Sequence, residues 1–239
     1  MGNEKVVAII QARLGSTRLP LKSLLSLGNL PVIDWLLYRL GKARQVDEII
    51  VAIPNTPLDS ILRDHLQKRR THCFAGSEND VLARMTQAAR SAEATTVLRI
   101  CADNPLLDPE AIDELIDFYN ETSPDYAYNH VPRGNLWPDG LGCEILSRDL
   151  LEQIEKQATL PAQREHCLNY IVDNPAKFTI GTFDPPRPAL RRPEIKLDLD
   201  SVTDYQRLCA LKAHPDIKAE EIIQAWDKAF GNSGQTAPL

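Results

Sequence analysis

The sequence predicts an α/β fold in which a mostly parallel, doubly wound sheet is covered by helices on both faces. Three observations carry that expectation. Short β-branched runs alternate with amphipathic helical patterns through the first half of the chain. The first two of these runs are apolar at every position, as strands buried on both faces must be. The chain has 239 residues, 43% hydrophobic and 25% charged, which is enough for one large domain with its own core.

Taken in order, Val6 to Ile10 reads as the first buried strand, Ile49 to Ile53 as the second and Thr96 to Ile100 as the third. Between them, Val32, Ile33, Leu36, Leu37 and Leu40 recur at helical spacing after Pro31, and Leu58, Ile61, Leu62, His65 and Leu66 do so after Pro57. A third helical stripe runs from Val81 to Ala92. Asp108-Pro109-Glu110 starts a fourth helix, with an acid able to cap, a proline at the first helical position and an acid in the first turn; Ile112, Leu115, Ile116 and Tyr119 are its stripe. After about Asp125 the texture changes. A turn-rich stretch from Asn129 to Gly142 leads to a helix near Ser147 to Gln157, another near Pro161 to Asp173 and a strand at Phe178 to Thr182. Prolines 185, 186, 188 and 193 mark a loop, Glu194 to Asp200 reads as a last strand, and two helices follow. Residues 1–230 are expected to form one domain, with 231–239 a disordered tail.

Charge excludes some functions. Lys and Arg number 27 against 33 Asp and Glu, a net charge of −6, whereas sequence-independent binding to nucleic acid needs an excess of cations over a face. No nucleic-acid partner is expected. The five cysteines, Cys73, Cys101, Cys143, Cys167 and Cys209, form no CxxC pair and read as buried thiols of a reducing compartment. The apolar run at the N-terminus is too short for a signal peptide or a bilayer span, so a cytoplasmic location without membrane insertion is expected.

In this acidic chain one segment stands out. Gln11 to Lys22, QARLGSTRLPLK, follows the first strand and interleaves the small residues Ala12, Gly15, Ser16 and Thr17 with Arg13, Arg18 and Lys22. Small residues let backbone amides approach a ligand, and fixed cations meet the charge of a nucleoside triphosphate. A solvated basic loop is the plain alternative. Neither GxxxxGK[ST] nor GxGxxG occurs, which argues against a P-loop ATPase or a Rossmann dehydrogenase. Asp103, in Ala102-Asp103-Asn104-Pro105 after the third strand, sits where open α/β sheets bind ligands. A hard cation bridging phosphate oxygens needs one or two carboxylates, and alternation along a strand would put Asp198 and Asp200 on one face. The competing reading of that pair is an exposed strand face that caps the next helix.

QARLGSTRLPLKSL resembles the signature of the cytidylyltransferases that activate acidic sugars, the CMP-sialic acid and CMP-Kdo synthetases, and most closely the SpsF-like branch of spore coat polysaccharide biosynthesis. The resemblance continues through GSENDVLAR (Gly76 to Arg84), RICADNPLLDP (Arg99 to Pro109), PDGLGCEI (Pro138 to Ile145), LPAQREH (Leu160 to His166) and LDLDSVTDY (Leu197 to Tyr205), in family order from about Val6 to Leu211. Two positions depart from it. The family reads PGK where this chain has Pro20-Leu21-Lys22, and Leu30 replaces a lysine before the next proline.

The resemblance implies a three-layer α/β/α Rossmann-like nucleotidyltransferase domain with an inserted dimerisation arm, here within about 125–193, in a homodimer. It implies a Mg²⁺-dependent reaction in which CMP passes from CTP to a small acidic acceptor of the ulosonic type and pyrophosphate leaves, for surface polysaccharide synthesis. Ala12, Arg13, Ser16, Arg18 and Lys22 would meet the nucleotide, with Ser77, Arg84 and Ala102 in the matching later loops. Arg13, Lys22 and Asp103 would carry catalysis. Asp103, Asp200 and Asp198 would hold metal, and Asn129, Asp139, Glu144, Arg164 and His166 would face the acceptor. Helix-surface placement is the plain alternative for Arg84, and a helix histidine satisfied by packing is the plain alternative for His166. Another nucleoside triphosphate, a phosphonate or polyol phosphate acceptor, or a non-catalytic nucleotide-binding subunit are the competing functions.

Overall fold

A computed structural model describes residues 4–231. The expected tail beyond Gly231 lies outside the described residues. In chain order the strands are β1 (Val6–Gln11), β2 (Ser26–Leu27), β3 (Leu30–Pro31), β4 (Glu48–Pro54), β5 (His72–Gly76), β6 (Thr96–Cys101), β7 (Tyr126–Tyr128), β8 (Glu144–Ser147) and β9 (Ile180–Gly181). The helices are α1 (Val32–Leu40), α2 (Ser60–Lys68), α3 (Val81–Ser91), α4 (Pro109–Thr122), α5 (Arg148–Gln157), α6 (Pro161–Glu165), α7 (Asn169–Asp173), α8 (Val202–Ala210) and α9 (Ala219–Phe230).

Seven strands form one sheet in the order β5-β4-β1-β6-β8-β7-β9; β5, β4, β1 and β6 are parallel, and β8 runs antiparallel to both its neighbours. Alternation along β1 divides the core. Val7 and Ile9 pack under α3, α5 and α7, while Val6, Ala8 and Ile10 pack under α1, α2 and α4. A third cluster joins Trp35 of α1 to Ile195, Leu197 and Leu199 and to α8 and α9. The expected three-layer α/β/α architecture is therefore present. The chain crosses from β1 to β4 and β5 on one side, then returns to β6 on the other, so the strand order reverses beside β1. Loops leaving β1 and β6 meet there, which is where such sheets bind ligands. No helix among the described residues is long and apolar enough to cross a membrane.

Helix starts follow local chemistry. Asp108 accepts a hydrogen bond from Ala111 N, Ser147 from Leu150 N, and Ser201 and Asp204 form a capping box on α8. The structure departs from the sequence reading in several places. Glu194 to Asp200 is extended, with Ile195, Leu197 and Leu199 buried, yet it makes only a single bridge, Asp139 to Lys196. Its partner segment bends at Gly140, whose φ of +95° breaks any ladder there. Pro161 to Asp173 is two short helices, because His166 leaves the helical region and turns Cys167 and Leu168 into the core. Leu58 and Ile61, expected on a buried stripe, are 43% and 53% exposed; Leu62 and Leu66 alone anchor α2. Residues 125–193, the expected insertion, contribute β7, β8 and β9 to the sheet edge and α5, α6 and α7 to one covering layer.

Candidate active site

The loop after β1 is organised by backbone. Asp59, 2% exposed, accepts from Leu14 N at 2.8 Å and from the Thr56 hydroxyl at 2.6 Å. Leu21 N donates to Leu14 O at 3.1 Å and closes the loop, and Ser16 Oγ accepts from Leu19 N at 3.3 Å. Leu21 has φ +59°, a left-handed conformation that costs a non-glycine residue about 1–2 kcal/mol. The departure from the family's glycine therefore falls on the one loop position that would favour glycine.

The loop's cations meet acids from distant parts of the chain. Lys22 Nζ donates to Asp103 Oδ2 at 2.7 Å, Leu199 O at 3.1 Å and Asp200 Oδ1 at 3.3 Å. Arg18 holds Asp200 bidentately, with both bonds at 3.0 Å. Leu199 N donates to Asp103 O at 2.8 Å, and this backbone bond brings the two acidic segments together. Burial pulls the Lys22 pKa down, but Asp103 and Asp200 outweigh it and the net shift is upward. For Asp200, burial raises and Lys22 and Arg18 lower, with a net fall.

Two carboxylate oxygens thus converge on one cation. That donor set, hard oxygens from Asp103 and Asp200, fits a hard divalent ion of the Mg²⁺ kind. Asp198 is placed differently. Its Oδ2 lies 3.3 Å from Lys196 Nζ, its Oδ1 is buried without a partner, and burial pushes its pKa up to about 6. Asp139 is raised to about 7, by burial and then by Asp198. Among the described residues, no group of three or more His, Cys, Asp or Glu side chains forms a complete metal cage.

The second loop lies beside the first. Ser77 Oγ accepts from Asp80 N at 3.1 Å, and Asp80 caps α3. Arg84 is fully buried; its Nη1 donates to Ser77 O, and its Nε and Nη2 have no partner. It is not a helix-surface cation. Ala12 and Ala102 are buried and line up by backbone, Ala12 N on Ala52 O and Ala102 N on Gln11 O, both at 3.2 Å. Arg13, half-exposed, sits 3.9 Å from Glu165 and borders a cavity of about 340 Å³ with Glu78, Asn79, Asp80, Pro161 and Arg164. A larger cavity of about 440 Å³ lies elsewhere, near the start of α4, and contains none of these loops. Its Arg187 is already bound by Asp108, Glu110, Glu114 and Glu220, so the strand-end cavity is the better candidate.

The five expected acceptor residues do not form one group. Asn129 is wholly buried, its amide spent on Ala111 O at 2.8 Å and Cys143 N at 2.9 Å, with Gly142 leaving it room. Arg164 binds Asp80, Glu155 and the carbonyl of Glu155 on the nucleotide side. His166 is exposed. Asp139 is near Asp198, Asp103 and Asp200, and Glu144 is buried in the sheet against Arg99 and Tyr126. For Glu144, burial raises the pKa, but Arg99, His130 and Tyr126 bring it down to about 2. Cys101 is a protonated thiol, pushed up to about 12 by burial, and Cys143 is buried in the core. Asp59 and Arg99 were missed in the sequence. The signal for Arg99 is a lone cation inside the apolar strand TVLRIC; Asp59 shows only a loop acid after Thr56.

Comparison with known proteins gives a consistent result. A sequence profile described as cytidylyltransferase matches residues 7–225. The spore coat polysaccharide biosynthesis protein SpsF of Bacillus subtilis is 33% identical, covering 91% of this chain and 92% of its own length. A 3-deoxy-manno-octulosonate cytidylyltransferase of Chlorobium phaeobacteroides is 34% identical over 125 residues, 51% of this chain and 49% of its own. A cytidylyltransferase from Leptospira borgpetersenii superposes with a TM-score of 0.87 at 27% identity, covering 99% of this chain and 100% of that one.

Proposed function

This chain belongs to the cytidylyltransferase family, and from that premise we propose that it is a Mg²⁺-dependent cytoplasmic enzyme that transfers CMP from CTP to an acidic sugar of the ulosonic type. The observation that carries the reading is Lys22 set between Asp103, just past β6, and Asp200, in the extended segment before α8. An acceptor hydroxyl bonds to the α-phosphorus of CTP, the bond to the bridging oxygen of pyrophosphate breaks, and the hydroxyl proton ends in solvent.

The residues divide the work. Arg13, Ser16, Arg18 and Lys22 surround the triphosphate on a loop whose main chain Asp59 pins, so the loop's path is set before the ligand arrives. Arg84 offers two unpaired nitrogens beneath the second loop, and Ser77 borders it. Asp103 and Asp200 would hold the divalent ion, which would supply charge to offset the phosphates and Lewis-acid polarisation of the reacting phosphoryl group. Asp198 and Asp139 stand behind them as a second pair of acids. The relatedness to SpsF and to a 3-deoxy-manno-octulosonate cytidylyltransferase supports a sugar-acid acceptor and a role in surface polysaccharide synthesis. A homodimer is part of this reading, supported by exposed Leu160, Val172 and Ile180 within residues 125–193.

Pyrophosphate release with each of the four nucleoside triphosphates and a panel of ulosonic acids tests the reaction. CTP with Mg²⁺ should give turnover, and Asp103→Asn should lower kcat by about a hundredfold or more. Turnover without divalent metal, or an undiminished Asp103→Asn, sinks the proposal.

A further inference from the structure

On the face of the sheet covered by α3, α5 and α7, the strands turn from apolar to polar at one edge. Val7 and Ile9 of β1 lead to Gln11, Val97 of β6 leads to Arg99, and on antiparallel β8 Glu144 precedes Leu146. Tyr126 and Tyr128 of β7 lead likewise to His130. Side chains of this kind are seldom buried in a sheet unless paired. Glu144 ties them together. It accepts from Arg99 Nη1 and from the Tyr126 hydroxyl, and His130 Nε2 lies 3.9 Å away; Arg99 Nη2 donates to Gln11 Oε1 at 3.2 Å.

The set is not closed on itself. Arg99 Nε and His130 Nδ1 are buried with no partner, although both side chains keep a path to solvent, 16% and 14% exposed. Buried polar atoms are nearly always paired, because an unpaired one costs about 1–3 kcal/mol. Position supplies the rest of the argument. β4 and β5, which lead into the Asp59 and Ser77 loops, lie on one side of β1; β6, β8 and β7, which carry Arg99, Glu144 and the approach to His130, lie on the other. Asp103, just past the end of β6, stands at the boundary. In-line displacement requires the acceptor and the leaving pyrophosphate to lie on opposite sides of the α-phosphorus.

We propose that Arg99, held in place by Glu144 and Gln11, receives the carboxylate of the sugar-acid acceptor, with His130 as a second contact through Nδ1. The assignment rests on the acid-acceptor reading above. It places the anchor in the sheet and away from Arg164, whose guanidinium is engaged by Asp80 and Glu155.

Calorimetry on the full chain with Mg²⁺ and a CTP analogue carrying a methylene at the α,β-bridge tests it. The probes are 3-deoxy-manno-octulosonate, N-acetylneuraminate and the carboxamide of whichever acid binds. Arg99→Gln should weaken the acid by at least about tenfold, and His130→Gln should do so several-fold, while the analogue's Kd stays within about twofold. The carboxamide should bind the native protein about as weakly as the acid binds Arg99→Gln. Unchanged acid affinity in folded Arg99→Gln, or a carboxamide that binds like the acid, overturns the assignment and leaves the reaction intact. If Arg99→Gln does not fold, His130→Gln, which keeps the ion pair, decides by the same criterion. If the analogue binds and neither acid does, the acid-acceptor reading fails and the assignment with it.

Discussion

The two flanks of Asp103 are built in opposite ways. On the β1 flank, charge sits on a loop: Arg13 and Arg18 are 47% and 68% exposed, and the main chain is held by Leu14 N on Asp59 and Leu21 N on Leu14 O. On the β6 flank, charge sits inside the sheet: Arg99 and Glu144 face each other across a strand ladder, in an almost solvent-free layer. The first arrangement adapts its side chains to a ligand while fixing the main chain. The second fixes the side chains themselves, and so suits discrimination between acceptors more than capture of a flexible triphosphate.

That contrast can be broken or sharpened by mutation. The largest effect is expected from Glu144→Gln, which leaves Arg99 buried without its counter-charge and should cost about 3 kcal/mol in urea denaturation. A loss below about 1 kcal/mol would mean the pair is not a fixed element of the sheet. Next is Asp59→Ala, which removes the buried acceptor of Leu14 N and should cost about 1–3 kcal/mol. It should raise the KM for CTP more than that for the acceptor, and equal changes in both would erase the distinction between flanks.

A pH effect comes third. Asp139 has a folded pKa of about 7, raised by burial and Asp198, so its ionisation disfavours the folded state and that burden grows as pH rises from the unfolded value toward 7. In metal-free protein, Asp139→Asn should therefore raise Tm at pH 8 and leave it nearly unchanged near pH 4. Equal shifts at both pH values would show that charge is not the cause. The smallest effect is Leu21→Gly, which relieves the left-handed strain but adds freedom to the unfolded chain, for a net gain of about 0.5 kcal/mol or less. A clear loss of stability would mean the Leu21 side chain supports the loop.

What could be read in the sequence follows the same physics. β1 and β4 were legible because strands buried on both faces leave unbroken apolar runs, and β6 because Val97, Leu98 and Ile100 give it an apolar centre despite Arg99. β5 was not, since the edge strand HCFAG is half-exposed and has no period. β7, β8 and β9 are held by tertiary pairing more than by pattern, being two to four residues long. The alternation from Glu194 to Asp200 truly marks an extended, half-buried segment, but a ladder also needs a partner, and Gly140 bends that partner away. The loop from Gln11 to Lys22 announced itself through composition. Arg99 did not, because its meaning depends on Glu144, 45 residues further on.

One further consequence lies in the spacing of Lys22, Asp103 and Asp200. Lys22 and Asp200 are 178 residues apart, and Asp200 stands just before the α8 cap, in the last fifth of the chain. During synthesis the acidic pair does not exist until that segment has left the ribosome and docked on Asp103. A chain that stops short of Asp200 but folds the strands up to β6 therefore gives Lys22 one carboxylate, that of Asp103, and leaves Arg18 without its bidentate partner.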